Sequence, residues 1–127
     1  MRGRPHLNPV MPHLLLIHEP RGQRATRTLE EGKAAYAAMR AWGESLHQRG
    51  LLIASESLKR DDEAVQVQRR EGVTRLTDGP FAEAKEMIGG FFLLASTSRE
   101  QAAALAAECP AAVFATVEVR EVAPCYE

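Results

Sequence analysis

Hydrophobic positions change their spacing repeatedly along this chain, and each spacing dictates a different element. From His13 to His18 the run HLLLIH is apolar without alternation, the signature of a central strand covered on both faces, closed by Glu19, Pro20 and Gly22. Thr28-Leu29-Glu30-Glu31 has the Thr-x-x-Glu spacing of a capping box and predicts a helix start. Leu29, Gly32, Tyr36, Met39, Gly43 and Leu46 then recur in steps of three and four, one stripe that should pack on a sheet, with Gly32 and Gly43 permitting close approach. Arg49-Gly50 should end that helix, because a glycine just past the last turn adopts the left-handed cap cheaply.

Period two comes next. Leu51 to Leu58 reads as a strand with Leu52, Ala54 and Leu58 on one face and Glu56 intruding among them. Val65 and Val67 alternate with Gln66 and Gln68, and Glu71-Gly72 turns the chain into Val73–Leu76, which makes a hairpin. Ile88 to Ala95 is another strand, whose Gly89-Gly90 pair signals a bulge or a close backbone neighbour. Thr97 and Ser98 offer overlapping caps for a short helix that sends Ala102, Leu105 and Ala106 to the core and halts near Cys109-Pro110. Val113, Ala115, Val117 and Val119 alternate with Phe114, Thr116, Glu118 and Arg120, as in a half-solvated closing strand.

This order predicts an α+β fold of the ferredoxin-like kind, an antiparallel sheet with two helices on one face. The opposite face then needs a cover, and a second copy of the chain is the economical one, giving an isologous homodimer. Residues 1–12, with Pro5, Pro9 and Pro12 and no hydrophobic period, read as a loose leader without assigned function, and residues 13–127 as a single domain. A 127-residue chain can bury roughly two-thirds of its unfolded surface, enough for a core without staples.

Charge narrows the partners. Sixteen basic and seventeen acidic side chains give a net charge of -1, so no field gathers phosphates or anionic lipids, and neither nucleic acid nor membrane is expected as a partner. The longest apolar run is far short of the roughly 20 residues that span a bilayer, and Cys109 and Cys125 lack disulfide density, so a cytoplasmic, reduced protein is expected. The histidines at 6, 13, 18 and 47 and the two cysteines show no metal-ligand spacing, and there is no phosphate loop, dinucleotide fingerprint or nucleophile elbow. No metal and no cofactor is expected.

The least generic stretch is Thr77 to Glu86. Asp78 can accept bonds from nearby amides, Gly79 tolerates unusual dihedrals and Pro80 fixes φ, so the three make a rigid corner. Phe81 is an apolar anchor, and Glu83, Lys85 and Glu86 place three ionisable groups behind it. The run DGPFAEAKEMIGGFFLL resembles the signature of the DGPF branch of the YCII-related family, and LLLIHE, HQRGLLIASESL and CPAAVFATVEVREV resemble its first strand, helix exit with second strand, and closing strand. The similarity runs from about His13 to Val122.

That resemblance implies a ferredoxin-like protomer pairing into a dimeric α/β barrel. It also implies a pocket in which a histidine and an aspartate can act as general acid and base. Asp78 matches the motif acid, with His18 the proton partner and His47 the other histidine in question. Glu56, Phe81, Glu83 and Lys85 complete the expected substrate contacts. The plain alternatives are an Asx-turn for Asp78, a solvated ion-pair cluster for Glu83, Lys85 and Glu86, and a strand-end position for His18. Trp42 and Tyr36 read as core or dimer packing. Two functions remain in view: a small-molecule enzyme using Asp78, or a non-catalytic metabolite-binding or regulatory accessory module. The second suits the common placement of DGPF relatives beside alternative sigma factors.

Overall fold

The computed structural model describes residues 10–127. In order they form β1 (Met11–Pro20), α1 (Leu29–Gln48), β2 (Leu52–Ser57), β3 (Val65–Arg70), β4 (Val73–Asp78), β5 (Glu86–Thr97), α2 (Arg99–Glu108) and β6 (Thr116–Glu121). Four strands make one antiparallel sheet in the order β2-β5-β1-β6, and β3 and β4 pair as a separate hairpin. Strand order and helix placement are those of a ferredoxin-like α+β fold. β1 begins at Met11, so the last two residues read as leader belong to the sheet, while residues 1–9 lie outside the described residues.

The local signals act as their chemistry requires. Thr28 Oγ1 accepts from the Glu31 amide at 3.1 Å and Glu31 Oε1 accepts from the Thr28 amide at 2.8 Å, closing the capping box. Gly50, at φ +71°, ends α1. Glu71 and Gly72, at φ +51° and +78°, make the two-residue hairpin turn, whose mirror-image dihedrals match strand twist. Ser98 Oγ accepts from the Gln101 amide at 3.0 Å and caps α2.

Along β1, His13, Leu15, Ile17 and Glu19 are buried and alternate with the half-buried Pro12, Leu14, Leu16 and His18. The buried set meets Phe92 and Leu94 of β5, Leu46 of α1, and Ala102, Leu105 and Ala106 of α2, so the core lies between the sheet and the two helices. Trp42 stands edge-on to Phe92, with ring centroids 4.8 Å apart. The other sheet face carries Leu14, Leu16, Phe91 and Leu93, all half-buried.

Two expectations need correction. The stripe on α1 packs only toward its end, where Gly43 and Leu46 are buried, while Leu29 is 74% and Tyr36 50% exposed. A methyl group added at Gly43 would touch Phe92, whereas one added at Gly32 would meet no atom within 4 Å, so only Gly43 permits close approach. The cause lies in the connection from β1. Arg24 is pinned to Glu19 and Leu58, Gln23 donates to the Phe114 carbonyl at 2.8 Å, and α1 therefore starts away from the sheet. The closing strand begins at Thr116, not at Val113. Pro110 starts a 3-10 turn that takes up Pro110–Val113 and leaves Val113 90% exposed.

Candidate functional site

The Asp-Gly-Pro-Phe corner is built around a residue outside the motif. Asp61, in a short turn between β2 and β3, accepts from Arg21 Nη1 at 2.9 Å, Arg21 Nη2 at 2.6 Å and the Phe81 amide at 3.3 Å. Arg21 also donates through Nε to the Ala84 carbonyl at 2.7 Å, and its amide donates to the Lys85 carbonyl at 2.9 Å. The bidentate guanidinium, helped by the Phe81 amide, holds the Asp61 carboxyl down at about 2, against desolvation that pushes the other way. The same bond raises Arg21. The Gly79 amide donates to the Ala64 carbonyl at 2.7 Å, and any side chain at Gly79 would run into the Asp61 carbonyl.

Asp78 ends β4 opposite Val65, is exposed, and makes no side-chain hydrogen bond or ion pair among the described residues. It does not serve the neighbouring amides, which the Ala64 carbonyl and Asp61 take instead. Phe81 is half-buried, and Glu83 and Lys85 are exposed and unpaired with one another. The structure therefore gathers neither an Asx-turn at Asp78 nor an ion-pair cluster behind it.

His18 lies on the sheet face away from the helices. Its Nε2 is 2.6 Å from Glu118 Oε1 and its Nδ1 3.7 Å from Glu86 Oε1, and Arg120 Nε is 3.7 Å from the second Glu118 oxygen. Strand register explains the group: His18, Glu118 and Arg120 share one face of neighbouring strands, and Glu86 sits where β5 begins beside the end of β1. The carboxylates next to His18 are thus Glu118 and Glu86, and Asp78 is not in contact with it.

A cleft of about 1040 Å³ opens where α1 stands off the sheet. Ile17, Leu52 and Phe92 form its floor, the stripe Leu29, Gly32, Tyr36, Met39 and Gly43 its roof, and Arg27 and Phe114 an end wall. Glu56 and His47 border it, while His18, Asp78, Phe81, Glu83 and Lys85 do not. Glu56 pairs with Phe91 in register, which directs its side chain to the face opposite Phe92.

Glu19 sits in the cleft wall as a buried carboxylate. Its oxygens accept from Arg24 Nε at 2.7 Å and Nη2 at 3.0 Å, and Arg24 Nη2 also donates to the Leu58 carbonyl at 2.9 Å. The glycine pair of β5 makes room for this. A methyl group at Gly89 would overlap the Glu19 carboxylate, and one at Gly90 would press on the Glu56 carbonyl. The ladder skips Gly89 between Ile17 and His18, so both the bulge and the close neighbour are present.

Sequence reading did not find Asp61, the Glu19–Arg24 pair, or the cleft cations Arg27, Lys33 and Arg40. The available signal was Lys33, Arg40 and Glu44 interleaved with the α1 stripe at helical spacing, which places charge on the flank of a face read as core. Among the described residues no group of three or more His, Cys, Asp or Glu side chains is placed to hold a metal ion, and no helix is long and apolar enough to cross a membrane. No curated protein matches the chain. The family model of the YCII-related domain matches residues 11–125, which takes in every strand and both helices, and the chain belongs to that family.

Proposed function

We propose that this protein is a cytoplasmic, dimeric metabolite-binding module of the DGPF branch, and that it holds a small organic molecule in the cleft between α1 and the sheet. The observation that carries this reading is the α1 stripe. Five of its six positions line the cleft, and although Met39 and Gly43 also touch the core, Leu29 and Tyr36 are left open to water. Apolar surface left in water forgoes about 25 cal/mol per Å², and a ligand of matching size would recover it.

Dimerisation is supported by surface that one chain leaves uncovered. Leu14, Leu16, Phe91 and Leu93 lie half-buried on the open sheet face, and Val67 and Leu76 face each other, exposed, on a hairpin that no other described residue covers. A lone two-stranded hairpin is marginal in water, so a second copy across this face is the natural cover. The free thiols of Cys109 and Cys125 suit a reducing compartment. An accessory role beside a transcription factor of the sigma class fits a binding module, since such a role requires a ligand and no turnover.

A second reading, an enzyme with Asp78 and His18 as acid and base and Glu56, Phe81, Glu83 and Lys85 around the substrate, is favoured by the His18 ring held between Glu118 and Glu86. A ring so flanked is fixed in orientation and can pass a proton.

The test uses N-phenyl-1-naphthylamine, an uncharged dye that fluoresces in apolar sites. The wild-type protein should bind it at one site per chain, and Gly32→Trp should lower the affinity at least tenfold. Gly32 has open space before it and helical dihedrals, so the indole enters the cleft without distorting α1, and replacing a mid-helix glycine favours the helix. Binding that ignores Gly32→Trp overturns the cleft reading. Turnover of a substrate that vanishes in Asp78→Asn would establish the enzymatic one.

A further inference from the structure

The cleft between α1 and the sheet carries an uneven set of charges. Its one buried carboxylate, Glu19, is consumed by Arg24, which also donates to the Leu58 carbonyl. Arg27, Lys33 and Arg40 also line it, and none has a carboxylate within 4 Å among the described residues. Arg27 donates to Gln23 Oε1 at 3.3 Å and lies over the Phe114 ring, 4.6 Å from its centre, while Arg40 stands 6.0 Å from the Tyr36 ring. Against these three stand Glu44 on the last turns of α1 and Glu56, whose register points it to the other sheet face.

Position sharpens the asymmetry. Arg27 precedes α1, and Lys33 and Arg40, seven residues apart, fall on one side of the helix. They flank the roof made by Leu29, Gly32, Tyr36 and Met39. Long basic side chains can lay their stems along apolar surface and keep the charge at its edge. The two guanidinium–aromatic contacts hold their cations over ring faces, and apart from the Arg27 bond to Gln23 their donors meet no acceptor among the described residues.

Resting on the cleft reading, we infer that the ligand is an amphipathic oxyanion, an aromatic or aliphatic skeleton bearing a carboxylate, sulfonate or phosphate. Its skeleton lies between the α1 stripe and Phe92, and its anionic group is received by Arg27, Lys33 and Arg40. The net charge of the whole chain, -1, gives no hint of this, because the preference is local to one wall.

The dye pair that tests it differs by one group. 1-Anilinonaphthalene-8-sulfonate is N-phenyl-1-naphthylamine with a sulfonate added. Wild-type protein should bind the sulfonate more tightly than the uncharged parent, and 0.5 M salt should remove most of that preference. In the variant Arg27→Gln/Lys33→Gln/Arg40→Gln the ratio of the two affinities, sulfonate over parent, should fall about tenfold or more, whatever small change the parent itself shows. Equal affinity of both dyes, or a triple variant that weakens both alike, overturns the oxyanion assignment while Gly32→Trp still blocks the parent and the cleft stands. If Gly32→Trp affects neither dye, the cleft itself fails and the assignment falls with it.

Discussion

Arg21 and Asp61 meet through paired hydrogen bonds, Nη1 to Oδ1 at 2.9 Å and Nη2 to Oδ2 at 2.6 Å, and so join the end of β1 to the turn that precedes the hairpin. The pair acts at a distance in sequence on the corner at 79–85, since Asp61 also takes the Phe81 amide and Arg21 the Ala84 and Lys85 carbonyls. The Asp61 carboxyl titrates at about 2 in the folded chain against an ordinary 3.8. A depressed carboxyl contributes stability that is present above its unfolded value and is lost as the pH falls through its folded value. Asp61→Asn should therefore lower the thermal midpoint at neutral pH, and the gap to wild type should close between about pH 4 and pH 2. A gap that persists unchanged at pH 2 would show that the charge contributes nothing there.

Asp78→Asn should behave differently from Asp61→Asn although both lie at the same corner. Asp78 is exposed and has no hydrogen-bond partner among the described residues, so the change should stay within about 0.5 kcal/mol in denaturant titrations. A loss of several kcal/mol would mean that the carboxylate supports the turn after all.

The sequence made most of the architecture legible, and the reasons are local. Thr28 with Glu31, Gly50, Glu71-Gly72 and Ser98 each fix a boundary within a few residues of themselves, and the unbroken apolar run of β1 marks it as an interior strand of the sheet. Gly89-Gly90 meets close neighbours, as a glycine pair within a strand suggests, whereas Glu56, one of the cleft's bordering residues, is turned by its register with Phe91 to the other sheet face. The rest depends on contacts distant along the chain. Arg21 with Asp61 and Glu19 with Gly89 are separated by forty residues or more, and no period encodes them. The α1 stripe was legible as apolar, yet its facing partner is decided by the connection at 21–28, which holds the helix off the strands. His18 was legible as a histidine at a strand end, but its neighbours Glu118 and Glu86 come from register.

Gly89→Ala should destabilise the protein by about 1–3 kcal/mol, because the new methyl overlaps the Glu19 carboxylate and displaces it from its paired bonds to Arg24. If that contact is the cause, the same substitution made in a Glu19→Ala background should cost much less. Equal costs in the two backgrounds, measured by urea unfolding, would place the strain elsewhere.

Leu29→Ala and Leu46→Ala remove the same atoms from the same helical stripe and should differ strongly. Leu46 is fully buried among Leu94, Leu105 and their neighbours, so its truncation should cost about 2–5 kcal/mol. Leu29 faces the open cleft, so its truncation should cost under about 1 kcal/mol in the ligand-free protein. Similar losses at both positions would mean that α1 closes onto the sheet in solution.

Leu93→Asp tests the open sheet face. Leu93 pairs with Leu14 on β1 and Ala54 on β2, with no charged residue directly opposite, and it points away from the core. In a lone chain the new carboxylate keeps part of its contact with water, so secondary structure and a cooperative thermal transition should survive. Between two copies the same carboxylate would be shut off from water without a cation beside it, which costs several kcal/mol and should weaken association about a hundredfold or more. Sedimentation at micromolar concentration should accordingly report a dimer for the wild type and a monomer for Leu93→Asp. A wild-type monomer, or a variant that still dimerises with unchanged affinity, would show that this face is covered by something other than a second copy.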